Sequence, residues 1–170
     1  MKMRDSTSDR QVRFRCLTLF LCALFAGSLL IGQAHGQCVP TAFPADWLQA
    51  QEAFGGHTVA RHVGKTDEWL VNRLSKSSRI SAASTYPNAE TATTHIQAAL
   101  TAKTAMLNQW VRDAPAGATR AVDYLAGKVL GRIALRPPKL TNIINSKKMR
   151  AVMRARTNGT CFLLTSYPIR

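Results

Sequence analysis

The chain has 170 residues, 46% of them hydrophobic, with 23 Lys+Arg against 9 Asp+Glu and a formal net charge of +14. That length allows one ordinary domain with or without a targeting segment, and the apolar content excludes a disordered chain. The charge predicts attraction to a polyanion: nucleic acid, an anionic membrane or an acidic protein.

Lys2, Arg4, Arg10, Arg13 and Arg15 precede an uncharged run from Cys16 to Ile31, and Ala34-His35-Gly36 follows. This order of basic, apolar and small-residue stretches predicts a secretory signal peptide over residues 1–36, hence a secreted or periplasmic protein. A retained anchor is the alternative, although the run is short for a spanning helix. A lipid on Cys38 is disfavoured, because Gln37 rather than a small residue precedes it. Residues 37–170 keep 18 of the 23 basic and 7 of the 9 acidic residues, a net +11, so the excess belongs to the working domain. From Arg120 onward Asp123 is the sole acidic residue.

Pro44-Ala45-Asp46-Trp47 predicts a helix start, closed by Gly55-Gly56. His57 to Gly64 reads as a short strand or extended loop. Thr66-Asp67-Glu68 supplies an N-cap and first-turn acids for a helix from Asp67 to about Ser75. Ala82 to Tyr86 predicts a short strand closed by Pro87-Asn88. Ala92, Ile96, Leu100, Leu107 and Trp110 keep near-helical spacing, which predicts one long helix from Ala89 to Trp110. After Asp113–Gly117 the pattern turns to strands at Val129–Leu135, Met149–Arg156 and Cys161–Tyr167. Asn158-Gly159 is the hairpin turn between the last two. Helices first and an antiparallel sheet later give a single-domain α+β fold.

Cys38 and Cys161 remain once the leader is removed. In an oxidising compartment such a pair closes a disulfide; the alternative is two free thiols, Cys161 in the core and Cys38 on a loose tail. A metal site is poorly supported: His57, His62 and His95 have no clustered acids, and no HExxH, CxxC or EF-hand spacing occurs. No P-loop, dinucleotide fingerprint or GxSxG appears, and no histidine follows His95. No cofactor is expected. The inventory suits metal-free phosphodiester chemistry on RNA. That reaction needs a base for the 2′-hydroxyl proton and donors for the phosphorane, and His, Arg and hydroxyl side chains supply them.

The ordered set His62-Val63-Gly64-Lys65-Thr66, Ala83-Ser84-Thr85-Tyr86-Pro87 and Thr165-Ser166-Tyr167-Pro168 resembles the bacterial ribonuclease A-like toxin domain found at the C-terminus of CdiA proteins. Those proteins are contact-dependent growth-inhibition effectors. The resemblance covers about Phe54 to Ile169. It implies a ribonuclease A-like domain over 54–170, preceded by an N-terminal segment at 37–53, with helices followed by a twisted antiparallel sheet. It also implies a metal-independent endoribonuclease whose catalytic residues are His62, Arg73, Thr165 and Tyr167. Lys65 and His57 are expected to bind substrate, His57 being the second choice for the base. Thr165 and Tyr167 stand at i and i+2 of a strand, so both hydroxyls face one side.

Plain structural roles stand beside these. The alternative for His62 is a satisfied structural histidine, for Arg73 a solvated helix residue, and for Thr165 and Tyr167 ordinary strand residues. His95 is expected at the surface. The pair of cysteines, and a leader directly before the domain, depart from the family pattern. RNA is the expected partner, with an acidic immunity protein as a second, and the chain is expected to be a monomer cleaving single-stranded RNA as a toxin against competing cells. The competing reading is an inactive basic nucleic-acid binder on the same fold.

Overall fold

The computed structural model of the chain describes residues 36–170. The expected signal peptide lies outside the described residues, apart from Gly36. Three short helices come first: α1 (Trp47–Ala53), α2 (Thr58–His62) and α3 (Asp67–Lys76). Strand β1 (Ala82–Thr85) precedes helices α4 (Ala89–Ala102) and α5 (Thr104–Asp113). Five strands complete the chain: β2 (Thr119–Leu125), β3 (Gly131–Leu135), β4 (Ile143–Ser146), β5 (Lys148–Ala155) and β6 (Cys161–Ile169). They form two antiparallel sheets, β1-β3-β4 and β2-β5-β6. The α+β class holds, with two sheets in place of the one expected. Among the described residues no helix is long and apolar enough to cross a membrane.

Three local expectations are corrected. Residues 58–62 are a helical turn, not a strand or extended loop, because the Glu52 carboxylate accepts from the Val59 and Ala60 N–H groups at 3.2 Å each. A carboxylate at those otherwise unpaired donors stabilises a turn that β-branched Thr58 and Val59 would disfavour. The long helix is two helices that part at Lys103. There the Lys103 N–H donates to the Leu100 carbonyl, and the Thr104 hydroxyl to the Leu100 and Thr101 carbonyls, which closes α4. The apolar spacing hid the break because Leu100 and Leu107 stand two turns apart. His95 is 7% exposed rather than superficial, with its ring 6.5 Å from that of Tyr124. Strands β2 and β4 were not foreseen. Most of β2 is exposed, so it lacks an apolar alternation, and β4 has only four residues.

The main core joins Ile96, Leu100, Leu107 and Val111 of α4 and α5 to Met149, Met153 and Leu163 of the β2-β5-β6 sheet. Cys38, Val39, Trp47 and Leu48 belong to the same core. A smaller cluster, Leu70, Leu74, Ala83 and Ala134, seats α3 on β1 and β3. Helix α3 forms as its sequence dictates: the Thr66 hydroxyl accepts from the Trp69 N–H at 3.2 Å, and Asp67 and Glu68 occupy the first turn. A disulfide joins Cys38 to Cys161, with Cα atoms 4.8 Å apart.

Strand β6 carries an irregularity that matters for the site. The register pairs Thr165 with Val152 and Leu163 with Met153, which leaves Leu164 as an extra residue in β6. In a regular strand Leu163 and Thr165 would share a face. The bulge separates them: Leu163 is buried in the core, whereas Thr165 turns to the cleft between the sheets. The unpaired Leu164 carbonyl accepts from the His57 N–H at 3.0 Å, which ties the start of α2 to the bulge.

Candidate active site

A cleft of about 610 Å³ is lined by His57, His62, Arg73, Thr165 and Tyr167. These come from the loop before α2, its last residue, the last turn of α3 and the end of β6. Four further residues reach the cleft that sequence reasoning missed: Arg61, Arg79, Arg150 and Arg170. No lining residue is acidic. Lys65 is not part of this lining. Its ammonium lies 5.4 Å from the centre of the Trp69 ring, and its N–H donates to Thr85 Oγ1 at 3.0 Å.

His62 is held from both ends by β1 and the residue after it. Its carbonyl accepts from the Tyr86 N–H at 2.8 Å, and Nδ1 lies 3.1 Å from the Ser84 carbonyl. Gly64, at φ +66°, turns the chain so that its own N–H donates to the Tyr86 carbonyl at 2.9 Å. A carbonyl only accepts, so Nδ1 carries the hydrogen and the neutral ring presents its lone pair at Nε2. Burial lowers the His62 pKa to about 4; the Ser84 carbonyl opposes this, and Arg73, His57 and Arg61 add to it. The ring is therefore neutral at pH 7, with its Nε2 lone pair unprotonated. Burial, then Arg61, also lowers the pKa of His57.

Tyr167 stacks obliquely beside His62, with ring centres 5.2 Å apart. Across the sheet Tyr167 is paired with Arg150. Arg150 Nε and Nη2 donate to the two Asp123 oxygens at 2.6 and 2.9 Å, a fork that fixes the guanidinium plane. Asp123 raises the Arg150 pKa further and is itself held below the usual carboxylate range by Arg150. The neighbouring Ser166 points the other way: its hydroxyl lies 2.8 Å from the Tyr86 hydroxyl and donates to the Arg150 carbonyl at 3.0 Å. Thr165 is only 9% exposed, and its Oγ1 has no hydrogen-bond partner. A buried hydroxyl left unsatisfied is unfavourable by about 1–3 kcal/mol.

The arrangement combines a neutral imidazole of fixed tautomer, a guanidinium held by Asp123, further arginines and an orphaned hydroxyl. It suits an anion that develops extra negative charge during reaction, such as a phosphodiester under attack. Among the described residues no group of three or more His, Cys, Asp or Glu could hold a metal ion.

None of the curated proteins compared with the chain matches it. Among solved structures, a crystal structure of a CdiA-CT/CdiI complex from Y. kristensenii is similar at 25% identity and a TM-score of 0.58. The match covers 68% of this chain and 100% of that one, and its fold is the same ribonuclease A-like α+β arrangement. A family described as the bacterial CdiA-CT RNAse A domain matches residues 56–168, a stretch that runs from the glycine before His57 to the proline after Tyr167. The chain belongs to the bacterial CdiA-CT RNAse A domain family.

Proposed function

We propose that the protein is a metal-independent endoribonuclease of single-stranded RNA, exported by its leader and toxic to competing cells. His62 is the base, and Arg73, Thr165 and Tyr167 stabilise the phosphorane. Nε2 of His62 takes the 2′-hydroxyl proton, and O2′ attacks phosphorus. The P–O5′ bond breaks, leaving a 2′,3′-cyclic phosphate and, once the departing oxygen gains a proton, a 5′-hydroxyl. Arg73 offers a planar fork to the phosphate oxygens, and Arg150, whose Nε and Nη2 hold Asp123, offers its remaining Nη1 edge. Thr165 donates from the cleft wall, and Tyr167 adds a second hydroxyl donor.

The observation that carries this reading is the orphaned Thr165 hydroxyl in the same cleft as a His62 ring whose hydrogen bond to Ser84 frees Nε2. Arginines rather than carboxylates line the cleft, which supports charge stabilisation by the protein's own cations. The Y. kristensenii relative was crystallised with CdiI. By the same token we infer an inhibitory partner for this chain, acidic to complement the cationic cleft.

The test is cleavage of one sequence as RNA and as DNA, with EDTA present. RNA should be cut and DNA spared. RNA that is bound but left intact would favour the non-catalytic binder instead.

A further inference from the structure

Beside the reaction cleft lies a second cavity of about 410 Å³, lined by Trp69, Asn72, Arg73, Lys76, Ser77 and Ile80. Arg73 and Ile80 line both cavities, so the two are neighbours across the Arg73 side chain. None of these six residues is acidic. Trp69 is half-buried, with one edge against the Leu70/Leu74/Ala83/Ala134 cluster. The Arg73 guanidinium sits 5.3 Å from its ring centre and the Lys65 ammonium 5.4 Å. Both cations lie over the Trp69 ring, so an entering base takes the place of one of them on the aromatic surface, the displaced cation meets the phosphate, and the polar Asn72 supplies an edge donor. Lys65, which lies outside the reaction cleft, gains a role here.

We propose that the Trp69 cavity is an RNA subsite that stacks a nucleobase next in line beyond the two that flank the scissile phosphate. It rests on the ribonuclease reading for the identity of its ligand. The strand crosses Arg73, which holds the scissile phosphate on one side, while the next base lies on Trp69 and Lys65 and Lys76 meet the adjoining phosphates. The enzyme therefore prefers substrates longer than a dinucleotide.

The test is equilibrium binding of the full-length protein to 2′-O-methyl RNA, which His62 chemistry cannot cleave. A labelled hexanucleotide is followed by fluorescence anisotropy, and an unlabelled dinucleotide competes with it. Stacking on an aromatic side chain contributes about 1–3 kcal/mol per base, about 5- to 150-fold in affinity. Trp69→Leu should weaken hexanucleotide binding within that range and change dinucleotide binding by less than about 3-fold, while Trp69→Phe keeps hexanucleotide affinity within about 3-fold. With the wild-type protein, removing the bases on one side of the central dinucleotide should weaken binding by a similar factor, which is independent of how the variants fold. Equal losses for both lengths would assign Trp69 a purely structural role through Arg73 and overturn the subsite. Unchanged affinity for Trp69→Leu or for both abasic hexanucleotides would overturn it too, as would absence of RNA binding. If binding behaves as expected and unmodified RNA is nonetheless not cut, the subsite stands and the ribonuclease reading falls.

Discussion

His62 is placed by contacts that leave one nitrogen free, and this gives its substitution a defined consequence. His62→Ala should lower kcat/KM by about 10²–10⁴-fold, the range for a general base. Arg73→Ala should fall in a similar range, with Arg73→Lys recovering part of it because an ammonium cannot copy the planar fork. Thr165→Val and Tyr167→Phe each remove one neutral donor and should cost less. Steady-state kinetics on a defined oligonucleotide rank the four. The same residue sets a pH dependence of stability. Its folded pKa of about 4 lies below the unfolded value of 6.5, so between those values the unfolded chain binds more protons. Stability should therefore fall as the pH drops from about 6.5 towards 4, and His57 and His95, both lowered, act in the same direction. Thermal unfolding across that window should show a shallower decline for His62→Gln than for wild type; equal slopes would contradict it.

At the scale of elements, the bulge at Leu164 and the cap on α2 bring catalytic candidates from distant parts of the chain together. Glu52 lies ten residues before His62, yet its carboxylate holds the N-terminus of the helix that ends in His62. Glu52→Gln should weaken that turn by about 0.5–2 kcal/mol, the range for lost caps, and lower activity without any change in the cleft lining. Differential scanning calorimetry paired with kinetics checks both. Such features explain what the sequence hid. The α3 cap, the Asn158-Gly159 turn and the core periodicity of α4 are local and were legible. The α2 turn was not, because its cap comes from another helix. Arg150 escaped notice because its place beside Tyr167 depends on a register that the extra Leu164 shifts by one residue. His62, Arg73, Thr165 and Tyr167 were found through an ordered family pattern rather than through spacing; their meeting in one cleft is a tertiary fact.

Across the whole molecule, the Cys38–Cys161 disulfide spans 123 residues and pins the segment holding Val39 and Trp47 to the strand that carries Thr165. A loop of that length should contribute about 3–5 kcal/mol by restricting the unfolded chain. Reduction, or Cys38→Ser with Cys161→Ser, should lower the urea midpoint accordingly, and an unchanged midpoint would refute that contribution. Attack by the 2′-hydroxyl, driven by His62 without a metal, leaves a signature on the product ends. The purified protein is incubated in EDTA with an RNA carrying a single 2′-O-methyl nucleotide, and product ends are read by mass spectrometry. Unmodified positions should yield 2′,3′-cyclic phosphate ends, the methylated position no cut, and His62→Ala no cuts at all. Cleavage after the methylated nucleotide, or dependence on added metal, would contradict that mechanism.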